Sequence, residues 1–176
     1  MIGLRVTLAA AAAIVLGGCA ARPAAPPPAR PVGAIALPAP AVSPATYVAQ
    51  AASMDLFVIR SSELALSRAS RAAIRDAAMR LIAAHKGTAA QLSLAGRRLD
   101  LLPPATMLPQ HQAMLAELEA GSDFDRAYVR LQRSVHGAAI ALHSDYAARG
   151  GSPTLRPVAR NAAAVERSHL DLLRRL

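Results

Sequence analysis

Four stretches of this chain repeat apolar residues at alternating steps of three and four, and no other feature constrains the fold as much. Side chains at that spacing line one face of an α-helix. The first stripe is Ala52, Leu56, Ile59, Glu63 and Leu66, on a helix that opens at Ser43-Pro44 and runs to about Leu66. Serine caps a helix well and proline fits its first position. The second stripe is Ile74, Ala78, Leu81, His85, Thr88, Leu92 and Ala95. "GRRLDLLPPATMLP" then breaks the pattern, and a short helix is expected from about Gln110 to Ala120. A long helix from Asp123 to about Arg149, capped by Ser122, carries Phe124, Tyr128, Leu131, Val135, Ala139, Leu142 and Tyr146. Gly150-Gly151 ends it. After Ser152-Pro153 the last helix carries Leu155, Val158, Ala162, Val165, His169, Leu172 and Leu176.

Four long amphipathic helices with a tight first turn, a long middle connection and a tight last turn describe an all-α four-helix bundle over residues 43–176. The middle connection, with its extra short helix, is long enough to cross the bundle. The second and third long helices are then parallel, the ferritin-like arrangement. Composition agrees: alanine, leucine and arginine dominate, aromatics make up 3% and tryptophan is absent.

The net charge is +9, and Lys86 is the sole lysine. Arginine pairs readily with carboxylates and phosphates, so an anionic lipid or lipopolysaccharide is one partner class. Nucleic acid is not expected, because no aromatics alternate with the basic residues and no recognition motif is present.

The first 18 residues have the form of a secretory signal, with Arg5, an apolar run from Val6 to Leu16, and small residues before Cys19. That run is too short to span a hydrocarbon core of ~30 Å comfortably. Leu16-Gly17-Gly18-Cys19 resembles a bacterial lipobox, in which cleavage precedes an acylated cysteine. Cys19 is the only cysteine, so no internal disulfide exists. Ala20 in place of aspartate after it points to the outer membrane, with the protein facing the periplasm. Residues 19–42 are dense in proline and alanine and read as a semi-rigid spacer.

Few residues suggest chemistry. Glu63, His85 and His169 sit on apolar stripes and need partners if buried. His136 and His143 flank the third stripe by one residue. With the second and third long helices parallel, His85 and His136 fall near mid-bundle and His169 within roughly two turns of them, whereas Glu63 lies near an end. A metal site of copper, zinc or iron is the sharp reading, since neutral imidazole suits these metals. Glu166 and His169 supply one Glu-x-x-His pair. A di-iron centre would need a second pair and more inward glutamates, and the sequence lacks them. The leading reading makes these histidines hydrogen-bonded core or boundary residues, with His111 exposed. Met54, Met79, Met107 and Met114 read as packing residues. No G-x-S-x-G turn and no phosphate-cradling glycine loop occurs, so a non-enzymatic binding or envelope-stress role is expected.

"HQAMLAEL" (His111 to Leu118), "FDRAYV" (Phe124 to Val129), His136 seven residues beyond it, His85, "LAL" (Leu64 to Leu66) and His169-Leu170 form a distinctive set. Through them the chain, from about Tyr47 onward, resembles the secreted bacterial domain-of-unknown-function family number 4142, ferritin-like and often labelled predicted outer membrane protein. The resemblance implies a helical bundle in the envelope and supplies no activity. The family usually has aspartate directly before its two mid-helix histidines, where this chain has Ala84 and Val135. Ala164 stands where a proline is usual, and His143 where an aromatic is usual. Loss of a carboxylate beside a histidine weakens metal and acid–base readings alike.

Overall fold

The computed structural model describes residues 42–176. The signal sequence, Cys19 and almost all of the proline-rich spacer lie outside the described residues. The helices are α1 (Pro44–Arg68), α2 (Ala72–Arg97), α3 (Pro109–Ala120), α4 (Phe124–Arg149) and α5 (Leu155–Arg174). Each long helix has identifiable ends. Ser43 accepts the Thr46 amide at 3.1 Å to cap α1, with Pro44 next to it. Asp123, rather than Ser122, caps α4 by accepting the Arg126 amide at 3.2 Å. Ser152 accepts from Leu155 and opens α5.

The helices form the expected all-α bundle. α1 packs beside α2, α2 beside α5, α5 beside α4 and α4 beside α1, while α3 lies against α1 and α4. Asp125, at the start of α4, accepts hydrogen bonds from the Ser70 amide and hydroxyl and the Arg71 amide, just before α2. The beginnings of α2 and α4 are therefore together, and the two helices run parallel. Tyr47 meets His143 and Ser62 meets Tyr128, so α1 runs antiparallel to α4. The long connection crosses the bundle, as its length implied.

The inward faces of α2 and α4 match their stripes closely, apart from Leu142, which is half-buried. Those of α1 and α5 do not. On α1 the buried line runs through Tyr47, Val48, Ala51, Ala52, Asp55, Val58, Ser62 and Ala65, while Glu63 and Leu66 are exposed. Glu63 pairs with Arg60 in solvent at 3.7 Å. On α5 the deepest line passes through Leu155, Ala159, Ala162, Ala163, Glu166 and Leu173, about one residue round from the expected one. Alanine and serine at these positions let the helices approach closely. They also give the hydrophobic pattern little contrast from which to read the face.

Two dry clusters fill the interior. One gathers Phe57, Ile74, Leu81, Tyr128, Val135 and Leu173 near the α1–α2 turn. The other gathers Tyr47, Leu92, Tyr146, Leu155 and Ala159 toward the opposite end. Between them lies a polar layer, because His85, His136, Glu166 and Asp55 occupy the intervening helical turns. Among the described residues no helix is long and apolar enough to cross a membrane.

Candidate metal centre

His85 on α2, His136 on α4, and Glu166 and His169 on α5 converge in that layer. One donor atom from each lies within 4.8 Å of all the others. The three imidazole centroids are 5.2–5.6 Å apart. His85, His136 and Glu166 are buried, and His169 is half-buried with its Nδ1 turned inward.

Hydrogen bonds fix how two of the rings point. His136 Nδ1 donates to the Gln132 carbonyl at 2.8 Å, one helical turn back. Its Nε2 then carries the free lone pair and faces Glu166 Oε2 at 3.5 Å. His85 Nδ1 donates to Asp55 Oδ1 at 2.8 Å, and the Thr88 hydroxyl donates to the same oxygen at 2.9 Å. That leaves His85 Nε2 as the unpaired ring nitrogen, while Nδ1 also lies 3.9 Å from Glu166 Oε1. His85 Nε2, His136 Nε2, His169 Nδ1 and Glu166 Oε2 are all buried without a hydrogen-bond partner. Each such atom costs roughly 1–3 kcal/mol. Four in one place are a concentrated cost that the flanking apolar clusters do not relieve.

The electrostatics follow from burial. Desolvation depresses the His136 pKa to about 3, helped by the charge of His85. It depresses His169 to about 4, again with His85 contributing. Burial also pulls on His85, but the Asp55 hydrogen bond and the Glu166 and Asp55 charges more than offset it, and its pKa is raised. Desolvation raises Glu166 to about 7, with His85 opposing. Two imidazoles are thus held neutral, the form that ligates a metal.

Three imidazoles and a carboxylate make a donor set suited to copper or zinc. A tetrahedral ion with bonds of ~2.1 Å needs donors ~3.4 Å apart. Donors that now lie within 4.8 Å of one another would close by up to about 1.4 Å to reach that spacing. Asp55 orients His85 from another helix, whereas His136 is oriented by a backbone carbonyl and not by a carboxylate. A carboxylate placed as Asp55 is commonly supports a ligating histidine. The α1 stripe drawn through Glu63 hid Asp55. A stripe started at Tyr47 or Val48 would have carried it inward.

Two further histidines lie outside the cluster, and one of them, His111, departs from expectation. His111 is buried, not exposed: its Nδ1 pairs with the Ser53 hydroxyl at 2.6 Å, and Ser53 also accepts the Leu108 amide at 2.7 Å. These bonds fasten α3 to α1. His143 is buried outside the cluster, its Nδ1 bonded to the Tyr47 hydroxyl at 3.0 Å. Tyr146 stacks on Tyr47 at 4.0 Å. Met54, Met107 and Met114 pack on the first apolar cluster, and Met79 is exposed.

Fold and cluster together define a ferritin-like helical bundle with a buried three-histidine, one-glutamate constellation at mid-height. The model of the family described as "Domain of unknown function (DUF4142)" matches residues 30–176, and the chain belongs to that family. No curated protein matches it. Among solved structures, it is similar to CopM in the Cu(II)-bound form, with TM-score 0.65 and 16% identity, over 77% of this chain and 95% of that one. CopM in the apo form gives TM-score 0.63 and 14% identity, over 76% and 95%. A DUF305 fragment from Deinococcus radiodurans gives TM-score 0.65 and 18% identity, over 78% and 99%. At these identities the likeness is one of fold.

Proposed function

We propose that this protein holds one late transition-metal ion, copper(II) or zinc(II), through His85 Nε2, His136 Nε2, His169 Nδ1 and Glu166. The observation that carries this is the convergence of four buried donor atoms, each lacking a hydrogen-bond partner, from three helices. A bound cation satisfies all four at once. Four protein donors close the coordination sphere, which favours holding or carrying a metal over catalysis. Copper heads the affinity order for nitrogen and oxygen donors. The fold it shares with CopM, a protein solved with Cu(II), Cu(I) and Ag, makes copper the first metal to test.

The same reading places the protein in the cell envelope as a lipoprotein anchored at Cys19. The signal-like first 18 residues and the cysteine that follows support this. The task there is to bind metal, not to transform a substrate.

The test is elemental analysis of untagged full chain isolated from its own membrane fraction, beside His85→Ala/His136→Ala/His169→Ala. Near-stoichiometric copper or zinc in wild type, absent from the triple variant, is the expected result. Wild-type protein that is metal-free and takes up neither ion at micromolar concentration would overturn the proposal.

A further inference from the structure

One end of the bundle differs in charge from the other. Arg97 and Arg98 close α2, and Arg156 and Arg160 stand on the first turns of α5. All four are exposed, and none makes an ion pair or side-chain hydrogen bond among the described residues. The acids here are Asp145, which pairs with Arg149, and Asp100. At the opposite end positive and negative groups are interleaved: Arg71 pairs with Asp125, Arg130 with Glu117 and Arg174 with Asp171.

Apolar groups are exposed at the basic end too. Leu94 is 54% and Leu102 70% exposed. Leu94 and Arg98 line a groove of about 580 Å³ that Pro153 and Pro157 close from the α5 side. Leu102 follows α2 in a connection whose neighbours Leu99 and Leu101 are tucked into the second apolar cluster. Exposed leucines bordered by unpaired arginines are the composition of a surface that rests in a lipid interface. The apolar side chains enter the acyl boundary while the guanidinium groups meet anionic head groups.

The chain's own route points the same way. Ser43 caps α1, and Val42 packs on the second apolar cluster. The described part of the chain therefore begins at this end of the bundle. We propose that this end of the bundle, with Arg97, Arg98, Leu94, Leu102 and Arg156, docks on an anionic phospholipid membrane surface. Docking sets the bundle upright, with the α1–α2 turn and the start of α4 pointing away from the lipid. It is independent of metal binding.

The test uses the full chain carrying Cys19→Ser, so that an introduced cysteine is the only thiol. Leu102→Cys, labelled with an environment-sensitive fluorophore, is compared with Leu66→Cys at the far end. Both are mixed with vesicles of phosphatidylcholine alone or with added phosphatidylglycerol. The Leu102 probe should shift to the blue only on phosphatidylglycerol vesicles and return in high salt, while the Leu66 probe stays water-exposed. Each basic residue near such a surface contributes about fivefold, so Arg97→Gln/Arg98→Gln lowers the docked-to-undocked ratio about 30-fold. These side chains are exposed, and the salt arm needs no charge variant. A Leu102 probe equally wet on both vesicle types overturns the proposal. So does a blue shift that appears at Leu66 as well, or that ignores salt and the arginines.

Discussion

Asp55 is the residue through which the candidate centre is most cleanly separated from ordinary core structure. Its Oδ1 takes hydrogen bonds from His85 Nδ1 and Thr88 Oγ1, and its residue exposure is 7%. Asp55→Ala leaves His85 Nδ1 without an acceptor and opens a small void, while the Thr88 hydroxyl keeps the His85 carbonyl as its acceptor at 3.1 Å. One unmet buried donor at roughly 1–3 kcal/mol, together with the void, makes this variant about 2–4 kcal/mol less stable. Asp55→Asn keeps a carbonyl oxygen at the same place, retains both hydrogen bonds and removes only the charge. Its stability in chelator should fall by only about 1–2 kcal/mol, the difference between a charge-assisted and a neutral bond. Metal affinity should behave differently. A carboxylate behind a ligating histidine raises its basicity, and losing such support costs about 10–100-fold in affinity. Asp55→Asn is therefore expected to weaken copper or zinc binding by that factor while remaining folded. Urea unfolding in chelator gives the first quantity and competition with a colorimetric chelator the second. If Asp55→Asn bound metal as tightly as wild type, Asp55 would not orient a ligand through His85. If its affinity fell only in proportion to its stability, the effect would be one of folding.

Acid should destabilise the metal-free protein through His143. Burial lowers its folded pKa to about 4 against an ordinary 6.5, with the Asp55 charge opposing and the His85 charge assisting. Between those values the unfolded chain holds a proton that the folded chain does not. Stability contributed by this residue is thus full above pH 6.5 and falls by about 3 kcal/mol as pH drops to 4. Urea midpoints measured across this range should decline less steeply in His143→Gln, and an unchanged slope would refute the assignment. Glycine substitutions should divide by position. A Cβ on Gly96 would lie 2.2 Å from the Leu101 carbonyl oxygen, whereas one on Gly87 meets nothing within 4 Å. Gly96→Ala is expected to lower the thermal midpoint, and Gly87→Ala to raise stability by about 0.5–1 kcal/mol. Ser53→Ala removes the acceptor for Leu108 and the partner of His111, so amide exchange in 107–120 should quicken while the α4–α5 hairpin keeps its protection.

The architecture was legible in the sequence because it depends on length and period. Stripes at steps of three and four set the helices. The long proline-bearing connection set the parallel pairing of α2 and α4. Two of the long helices, α2 and α4, also disclosed their inward faces, since large side chains such as Leu81, Tyr128 and Leu131 mark one side plainly. The parallel pairing, with the rise per residue, gave the expectation that His85 and His136 share a level and that His169 lies within about two turns of it.

What the sequence could not decide is the rotation of α1 and α5 about their own axes. Their faces are built from alanine and serine, whose small contrast leaves several stripes nearly equal. One choice turned Glu63 inward, and the structure turns it out and brings in Asp55 and Glu166 instead. The burial of His111 was likewise invisible, because it depends on Ser53, far away in sequence, accepting the amide of Leu108. A spacing rule acts within one helix. The donor set of this centre depends on how three helices are rotated against one another, and only side-chain packing across the bundle fixes that.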